Sequence, residues 1–239
     1  MREYSIITGA SGLLGQQHAI ALAEAGFNLV LTDIDYLNLN KIQKKIQKKF
    51  NSQKIISYPI DITIEQEIIK MKNFLKNKKI KISVLVNNAA MNPKMKEINK
   101  NAKTGDIENY SLNLLRKELD VNLISAFSMI KHFGSEMAKN KKGSIINIGS
   151  DLSINAPDQS VYSKDDNIKK VKNFKPIGYS ISKFGIVGLT KYVATYWAHK
   201  NVRCNALIPG AVDNNQSSYL KKNVSKRIPL GRWAKKNEY

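Results

Sequence analysis

The stretch "YSIITGASGLLGQQHAIALAEAGFNLVLTD", residues 4–33, decides the fold. The apolar runs at 4–8 and 27–33 have the length and composition of buried strands. Between them lie a glycine-rich turn at 9–15 and a helical pattern at 16–26. A strand, a tight turn, a helix and a second strand in this order predict a βαβ unit with two parallel strands.

The rest of the chain repeats this alternation. Apolar runs predict further strands, and helical patterns lie between them: strands at 54–61, 82–88, 143–150 and 202–210, and helices at 36–50, 63–77, 111–140 and 178–200. Near-continuous apolar strands that alternate with helices are typical of a parallel sheet covered on both faces. The sequence therefore predicts one α/β domain, 1–239, with a Rossmann-type doubly wound sheet and irregular insertions at about 91–110 and 155–177.

The composition limits the functional classes. The 239 residues carry a net charge of +20, with 39 Lys and Arg against 19 Asp and Glu. Only five of these cations are arginine, the residue best suited to reading phosphates and bases, and the lysines are dispersed over presumed outer helix faces. We therefore expect solvated surfaces and no nucleic-acid partner, although an attraction for an anionic substrate stays open.

No apolar run is long enough to cross a bilayer, and the first residues do not form a signal-peptide pattern. The chain has one cysteine, Cys204, which excludes an intrachain disulfide and a cysteine-based metal cluster. We expect a cytoplasmic protein with no membrane partner and no metal, and the three histidines lie in no metal-like pattern.

The glycine-rich turn predicts a dinucleotide site. Gly9, Gly12 and Gly15 allow a tight turn, a close approach of the backbone to a pyrophosphate and close packing of the helix on the sheet. The N-terminus of the following helix adds free N–H groups and the positive end of its dipole. Three spaced glycines alone are a weak signal, and their position between a strand and a helix strengthens it.

Two carboxylates follow the next strands. Asp33 stands at the end of the second strand, where a carboxylate binds the ribose hydroxyls of the cofactor and repels a 2′-phosphate, which favours NAD over NADP. The alternative role is to cap the next helix, which Asp35 is also placed to do. Asp61, after the third strand, is a candidate adenine contact, with an N-cap as its competing role.

The stretch "GYSISKFGIVGLT", residues 178–190, places Tyr179 and Lys183 four apart on one helix face. Such a pair is usually ordinary amphipathic surface. It is also the arrangement in which an ammonium lowers the pKa of a phenol, which otherwise lies near 10, and makes it a usable base.

Together these segments resemble the short-chain dehydrogenase/reductase family. The resemblance rests on motifs in the family's order along the whole chain: "TGASGLLG" (8–15), Asp61, "NNAA" (87–90), Asn122, Ser150, "YSISK" (179–183) and "PG" (209–210). The glycine spacing T-G-x-x-G-x-x-G departs from the family's commonest form, T-G-x-x-x-G-x-G.

The resemblance implies a catalytic set and a cofactor site. Tyr179 would exchange the proton of a substrate hydroxyl, Ser150 would orient the substrate oxygen, Lys183 would assist Tyr179, and Asn122 would hold a water of the proton relay. The implied NAD contacts are Gly9, Ser11, Gly12, Leu14, Gly15, Asp33, Asp61, Ile62, Asn88, Ala89, Tyr179, Lys183, Pro209, Gly210 and Val212. A non-catalytic NAD-binding sensor or scaffold remains the alternative interpretation.

Tyr162 is a competing candidate for the base, because it lies twelve residues after Ser150, near the usual family spacing. Four residues beyond it stands Asp166, which would raise the pKa of Tyr162. Tyr179 has a lysine at that position, so we prefer Tyr179.

A finer resemblance concerns the substrate. The runs "GSDLSINAPDQSVY" (149–162) and "IPLGRWAKKNEY" (228–239), with the insertion at 155–177, resemble oxidoreductases of bacterial surface-polysaccharide loci of the flagellin modification protein A type. This resemblance implies a sugar or sugar-phosphate substrate, with the insertion beside the substrate cleft. The segment 211–227 resembles the family's substrate lid.

The family also implies a homodimer or homotetramer formed through the helices at 111–140 and 178–200. In the family, the equivalent of the last residues here is followed by a further helix and a short strand. On this comparison the sequence is expected to lack the last helix and strand of the sheet.

Overall fold

The computed structural model describes residues 3–93, 106–172 and 174–239. Its centre is a six-stranded sheet in the order β3-β2-β1-β4-β5-β6, in which every paired strand is parallel. The strands are β1 (Tyr4–Thr8), β2 (Asn28–Thr32), β3 (Ile55–Ser57), β4 (Ile82–Asn87), β5 (Gly143–Ile148) and β6 (Val202–Leu207). This order confirms the predicted doubly wound sheet. From β1 the chain adds strands first on one side, β2 and β3, and then on the other side, from β4 onward, so the strand order switches between β1 and β4.

Helices cover both faces of this sheet. They are α1 (Gly15–Glu24), α2 (Tyr36–Lys49), α3 (Glu65–Asn77), α4 (Leu112–Leu119), α5 (Ser125–Met129), α6 (Ser135–Lys139), α7 (Ile177–Tyr196) and α8 (Ser218–Ser225). The segments α4, α5 and α6 form one continuous rod, because π-helical turns at Asp120–Ile124 and Ile130–Gly134 join them. Within the described residues, no helix is long and apolar enough to span a membrane.

Two apolar clusters, one on each face, form the core. Successive strand residues point to opposite faces, so Ile6 packs with residues of α3 and α5, whereas Ile7 packs with residues of α1 and α2. Both side chains are fully buried. Each such burial contributes about 1.5–3 kcal/mol, which makes the alternation along β1 a strong constraint on its register.

The elements differ from the predicted ones mainly at their ends. The strand predicted at 54–61 is regular only over Ile55–Ser57, because Pro59 has no N–H to donate to a neighbouring strand. The amides of Tyr58 and Ile60 nevertheless still donate to Leu31 and Asp33. Of the insertion predicted at 91–110, residues 94–105 lie outside the described residues. The insertion at 155–177 contains only short 3₁₀ turns in its described part.

Candidate active site

The topology brings the candidate residues to one edge of the sheet. The glycine-rich turn follows β1, "NNAA" follows β4 and Ser150 follows β5. These three strands are neighbours in the sheet, and the carboxyl ends of parallel strands meet at the same edge. The reversal of strand order opens a crevice at this edge, so the predicted cofactor and catalytic segments lie side by side.

The glycine-rich turn fits a group that approaches the backbone. Gly9 has a φ of +61°, and a Cβ at this position would lie 2.7 Å from the Ala89 Cα. A Cβ at Gly15 would lie 2.1 Å from the Gly9 carbonyl oxygen. At the start of α1, the N–H groups of Gln16 and Gln17 donate to the carbonyls of Gly12 and Leu14. The turn is therefore closely packed, and its contact with a pyrophosphate stays a prediction.

The "NNAA" segment braces this turn. The Asn88 amide group donates to the carbonyls of Thr8 at 2.9 Å and Gly9 at 3.0 Å. The Thr8 hydroxyl in return accepts from the backbone N–H groups of Asn88 and Ala89, each at 3.0 Å. Asn88 and Ala89 were predicted as cofactor contacts, and the structure places them against the turn. Thr8 was not predicted to have a role of its own, although it stands inside the quoted motif.

Asp33 lies beside the turn, as predicted. Its carboxylate accepts from the Ser11 N–H at 3.0 Å and from the Ser11 hydroxyl at 2.6 Å. The competing role as a helix cap belongs to Asp35, whose side chain accepts from the Asn38 N–H at the start of α2. Asp33 is thus a carboxylate fixed at the rim of the crevice with acceptor capacity left for a ribose hydroxyl.

Asp61 forms a local turn. Its carboxylate accepts from the N–H of Thr63 at 2.9 Å and from the Thr63 hydroxyl at 2.7 Å. The N-cap of α3 is Ile64, so Asp61 precedes the helix and does not cap it. The neighbouring Ile62 packs its half-buried side chain against the core beneath β1. An adenine contact at these two residues stays a prediction.

The structure brings together Ser150 and Tyr179, which are far apart in sequence. The Ser150 hydroxyl donates to Asp151 Oδ1 at 2.7 Å and lies near enough to the Tyr179 phenol to lower its pKa. The sequence analysis did not identify Asp151. The signal for it was the dipeptide "SD" directly after β5, at the edge of the sheet where the crevice lies. The Asp151 carboxylate is therefore one residue from the group predicted to orient the substrate.

The pKa of Tyr179 contradicts one expectation. We predicted that Lys183 lowers it, but burial raises it above the ordinary value of 10, assisted by Asp151 and opposed by the nearby Ser150 hydroxyl. The Lys183 ammonium lies 5.7 Å from the centre of the Tyr179 ring and donates to the Ile148 carbonyl at 2.6 Å. In the ligand-free protein, desolvation of the phenolate is thus the largest influence on the Tyr179 pKa.

Lys183 itself is held in a buried position. It is 3% exposed, and burial lowers its pKa to about 8, with a smaller effect from Lys175. The preceding residue, Ser182, accepts from the Asn122 amide at 3.0 Å. Asn122 also exchanges hydrogen bonds with the backbone of Met91 in both directions. The predicted relay residue therefore links α7 to the segment that follows β4.

Asn122 owes its position to the π-helical turn at Asp120–Ile124. Such a turn shifts the side chains that follow and is frequent at functional sites. The sequence predicted that residues 111–140 are mostly helical, and the structure confirms this. The π-helical turns were not predicted, because a single wide turn leaves the apolar spacing almost unchanged.

Tyr162 remains excluded as the base, for a different reason than predicted. Its pKa is raised by burial first, and then by Asp151, Tyr179 and Asp158. Asp166, which we expected to raise it, instead pairs with Arg227 at 2.8 Å. Every group that acts on Tyr162 raises its pKa, whereas Ser150 opposes the rise at Tyr179, which favours Tyr179 as the base.

The "PG" loop borders the same edge. The Pro209 carbonyl accepts from the Asp151 N–H at 2.9 Å, and the Gly210 N–H donates to the Tyr239 hydroxyl at 3.0 Å. Val212 forms an isolated parallel bridge with Ala234. Of these three predicted cofactor contacts, Pro209 is thus bonded to the neighbour of Ser150, whereas Gly210 and Val212 contact residues near position 239.

The insertion at 155–177 adds a residue that the sequence did not indicate. Its Lys175 ammonium lies 4.2 Å from the centre of the Tyr179 ring, nearer than Lys183 does. Lys175 also lines a cavity of about 690 Å³ with residues of the segments before α4 and at the start of α7. Among many lysines of a lysine-rich chain, only the folded structure distinguishes this one.

The geometry defines a doubly wound α/β protein with a crevice that joins a glycine cradle to a serine, a tyrosine and a lysine. Comparison with known proteins agrees. A family model described as short chain dehydrogenase matches residues 3–164, and one described as enoyl-(acyl carrier protein) reductase matches residues 166–239. The chain belongs to the short-chain dehydrogenase/reductase family of oxidoreductases.

Relatives support this assignment. A short chain dehydrogenase/reductase, dpfgG, of Gibberella zeae is 30% identical over 209 residues, which cover 87% of this chain and 68% of the relative. The 3-oxoacyl-[acyl-carrier-protein] reductase FabG of Thermotoga maritima is 28% identical over 243 residues, which cover 98% of this chain and 85% of the relative.

Solved structures agree in fold. NAD⁺-bound xylitol dehydrogenase has a TM-score of 0.81 at 23% identity, covering 99% of this chain and 88% of that chain. A gluconate 5-dehydrogenase of Burkholderia cenocepacia, in complex with NADP and tartrate, has a TM-score of 0.82 at 21% identity, covering 99% of this chain and 84% of that chain. The two structures hold different nicotinamide cofactors in a common fold.

Proposed function

We propose that the chain is an NAD-dependent oxidoreductase that interconverts an alcohol and a ketone of a sugar or sugar phosphate. The observation that carries this proposal is the meeting of Ser150, Tyr179 and Lys183 beside the glycine-rich turn. A bound nicotinamide accepts or supplies the hydride. The residues of the chain position the substrate and move its proton.

In alcohol oxidation, Tyr179 accepts the proton of the substrate hydroxyl, and in reduction it returns that proton. Ser150 holds the substrate oxygen beside the phenol, because its hydroxyl lies near enough to Tyr179 to lower the pKa of the phenol. The ammonium of Lys183 favours the charged phenolate. Asn122 connects Lys183's helix to the segment after β4 and supports a route for the proton to solvent.

Asp33 supports the choice of NAD over NADP. Its carboxylate is fixed by Ser11 at the end of β2, and a negative charge there opposes a 2′-phosphate. The sugar class is supported by the resemblance of 149–162 and of the insertion to surface-polysaccharide oxidoreductases, and by the polar residues Asn109, Gln159 and Lys175 around the cavity.

A homodimer or homotetramer is also proposed. Exposed apolar side chains lie on the rod and on α7, the two elements expected to form the interface: Ile124, Phe127, Ile181 and Phe184. Single exposed apolar residues are common, but a group on neighbouring helices is typical of an interface.

The test is a panel of sugar alcohols, aldoses and nucleotide sugars incubated with NAD⁺ or NADH, followed through nicotinamide absorbance. The proposal expects turnover of a sugar derivative that falls by about 10²–10⁴ in Tyr179→Phe. Saturable cofactor binding without turnover of any compound, unchanged by Tyr179→Phe, would instead support the sensor interpretation.

A further inference from the structure

The insertion delivers a second cation to the tyrosine at the centre of the proposed site. We propose that Lys175 is a positioning residue of this site: its ammonium, held over the Tyr179 ring, stabilises the phenolate. This inference rests on the proposed function for its catalytic meaning. It extends that function by assigning the insertion a part in the proton transfer in addition to any part in substrate choice.

The structure fixes Lys175 at both ends. Its backbone N–H donates to the Gln159 side chain at 2.8 Å, and its ammonium donates to Asn92 Oδ1 at 2.7 Å. Gln159 belongs to the same insertion, whereas Asn92 follows β4, so the lysine is tied across the crevice. A free lysine side chain has about 2 kcal/mol of rotamer entropy, so it would not stay in one conformation without such hydrogen bonds.

The Lys175 ammonium lies close enough to the Tyr179 ring to interact with a negative charge on the phenol. It lies 4.2 Å from the centre of the Tyr179 ring, whereas Lys183 lies 5.7 Å away and directs its ammonium to the Ile148 carbonyl. A cation within about 6 Å of a ring face is attracted to the neutral ring. The attraction increases when the ring carries a negative charge, so Lys175 favours ionisation of Tyr179.

The charged and titratable groups around Tyr179 come from three segments. Tyr179 faces Lys183 on its own helix, Asp151 after β5, and Tyr162 and Lys175 in the insertion. Asp151 opposes ionisation of Tyr179. A nearby ammonium favours it through Coulomb attraction.

Lys175 has carboxylates of its own nearby. It is attracted by Asp151 and by Glu118 of α4, and burial nevertheless lowers its pKa to about 8. With a pKa of about 8, the Lys175 ammonium is charged at neutral pH. Its charge remains available to the phenol.

The test compares Lys175→Met with Lys175→Arg. Methionine keeps the apolar stem and removes the charge, whereas arginine stays charged at every accessible pH. Oxidation of the substrate requires the phenolate, so activity falls as pH drops through the pKa of Tyr179. Lys175→Met should move this acid limb of kcat/KM upward by about one pH unit. Lys175→Arg should leave the limb in place, and so should Lys169→Met, which removes an exposed lysine of the same insertion.

A second readout needs neither cofactor nor turnover. The phenolate absorbance of Tyr179 is obtained as the difference between each ligand-free protein and its Tyr179→Phe partner. Lys175 loses its charge near pH 8, before Tyr179 ionises, whereas an arginine at this position keeps its charge throughout the titration. The inference therefore expects the midpoint in Lys175→Arg to lie about one pH unit below that in Lys175→Met. Coinciding titration curves for Lys175→Arg and Lys175→Met would overturn it.

The two readouts separate the two proposals. A parent chain that turns over no substrate contradicts the proposed function, while the phenolate titration still decides the role of Lys175. If Lys175→Met does not fold, Lys175→Gln is titrated in its place, because its amide can donate to Asn92 and carries no charge.

Discussion

The crevice has two walls that are built by different means. The glycine-turn wall, residues 8–15 with 87–90, is held by backbone groups and by short side chains such as Thr8 and Asn88. The insertion wall, residues 155–177 with α8, is held by charged side chains. Arg227, just beyond α8, donates to Asp158 at 2.6 Å and to both carboxylate oxygens of Asp166 at 3.0 and 2.8 Å.

The difference teaches where each wall is vulnerable. The glycine-turn wall leaves no room for an added atom, since close packing transmits a clash directly to the backbone. The insertion wall depends on ion pairs at half-exposed positions, which solvent and salt weaken. A substitution that adds volume should therefore be most damaging in the glycine-turn wall. A substitution that removes a charge should be most damaging in the insertion wall.

Gly15→Val should produce the largest effect. Its Cβ would lie 2.1 Å from the Gly9 carbonyl oxygen, so the turn must open. We expect cofactor affinity to fall by at least about 100-fold, which corresponds to about 2.7 kcal/mol. Calorimetric titration with NADH measures this. Gly188→Ala is the control, because no atom lies within 4 Å of its added Cβ, and unaltered affinity in Gly15→Val would refute the described turn.

Tyr179→Phe should come next, with a specific pattern. Loss of the hydroxyl removes the proton acceptor, so kcat should fall by about 10²–10⁴ while cofactor affinity changes by less than about threefold. Rapid-mixing kinetics with the best sugar substrate separate the two quantities. Tyr162→Phe is the matched control and should retain most of kcat, and the reverse ranking would assign the base to Tyr162.

Arg227→Met should have a smaller effect, confined to the insertion wall. Without the guanidinium, α8 loses its bonds to Asp158 and Asp166. Amide hydrogen exchange in α8 should accelerate by about tenfold, equivalent to about 1.4 kcal/mol of local stability. Arg203→Met is the control, since Arg203 is an exposed arginine of β6 that bonds to Ser144. Equal exchange in both variants would show that the ion pairs do not hold α8.

High salt sharpens the comparison further, because it acts on one wall only. Raising ionic strength shortens the Debye length from about 8 Å to about 3 Å. In the parent chain, the rate of amide hydrogen exchange should then increase in α8 and remain unchanged in residues 8–15. A uniform increase would indicate global destabilisation and no special role for Arg227.

The sequence predicted the elements of the glycine-turn wall well, because each has a local pattern. Strands β1 and β4 follow from apolar runs, and the turn follows from glycine positions that lie close together in the chain. The hydrogen bonds between Thr8 and Asn88 join residues 80 positions apart, and they were not predicted. The same reasoning identified Ser150 and Tyr179 only through a family resemblance, since no periodicity relates residues 29 positions apart.

The insertion wall was beyond sequence reasoning. Asp166 was interpreted through its spacing from Tyr162, but its partner is Arg227, which lies 61 residues further along the chain. Lys175 was one lysine among many, and burial together with Asn92 gives it its position. Likewise the expected lowering of the Tyr179 pKa neglected desolvation, which depends on the fold and not on spacing.

The most direct test of the account is a fluorescence titration of the chain with NADH and with NADPH, repeated on Asp33→Asn. The account predicts saturable binding with NADH preferred, and a preference reduced by about tenfold or more in Asp33→Asn, because the carboxylate that opposes the 2′-phosphate is gone. Binding of neither cofactor by the folded chain would contradict the central claim that this crevice is a nicotinamide site.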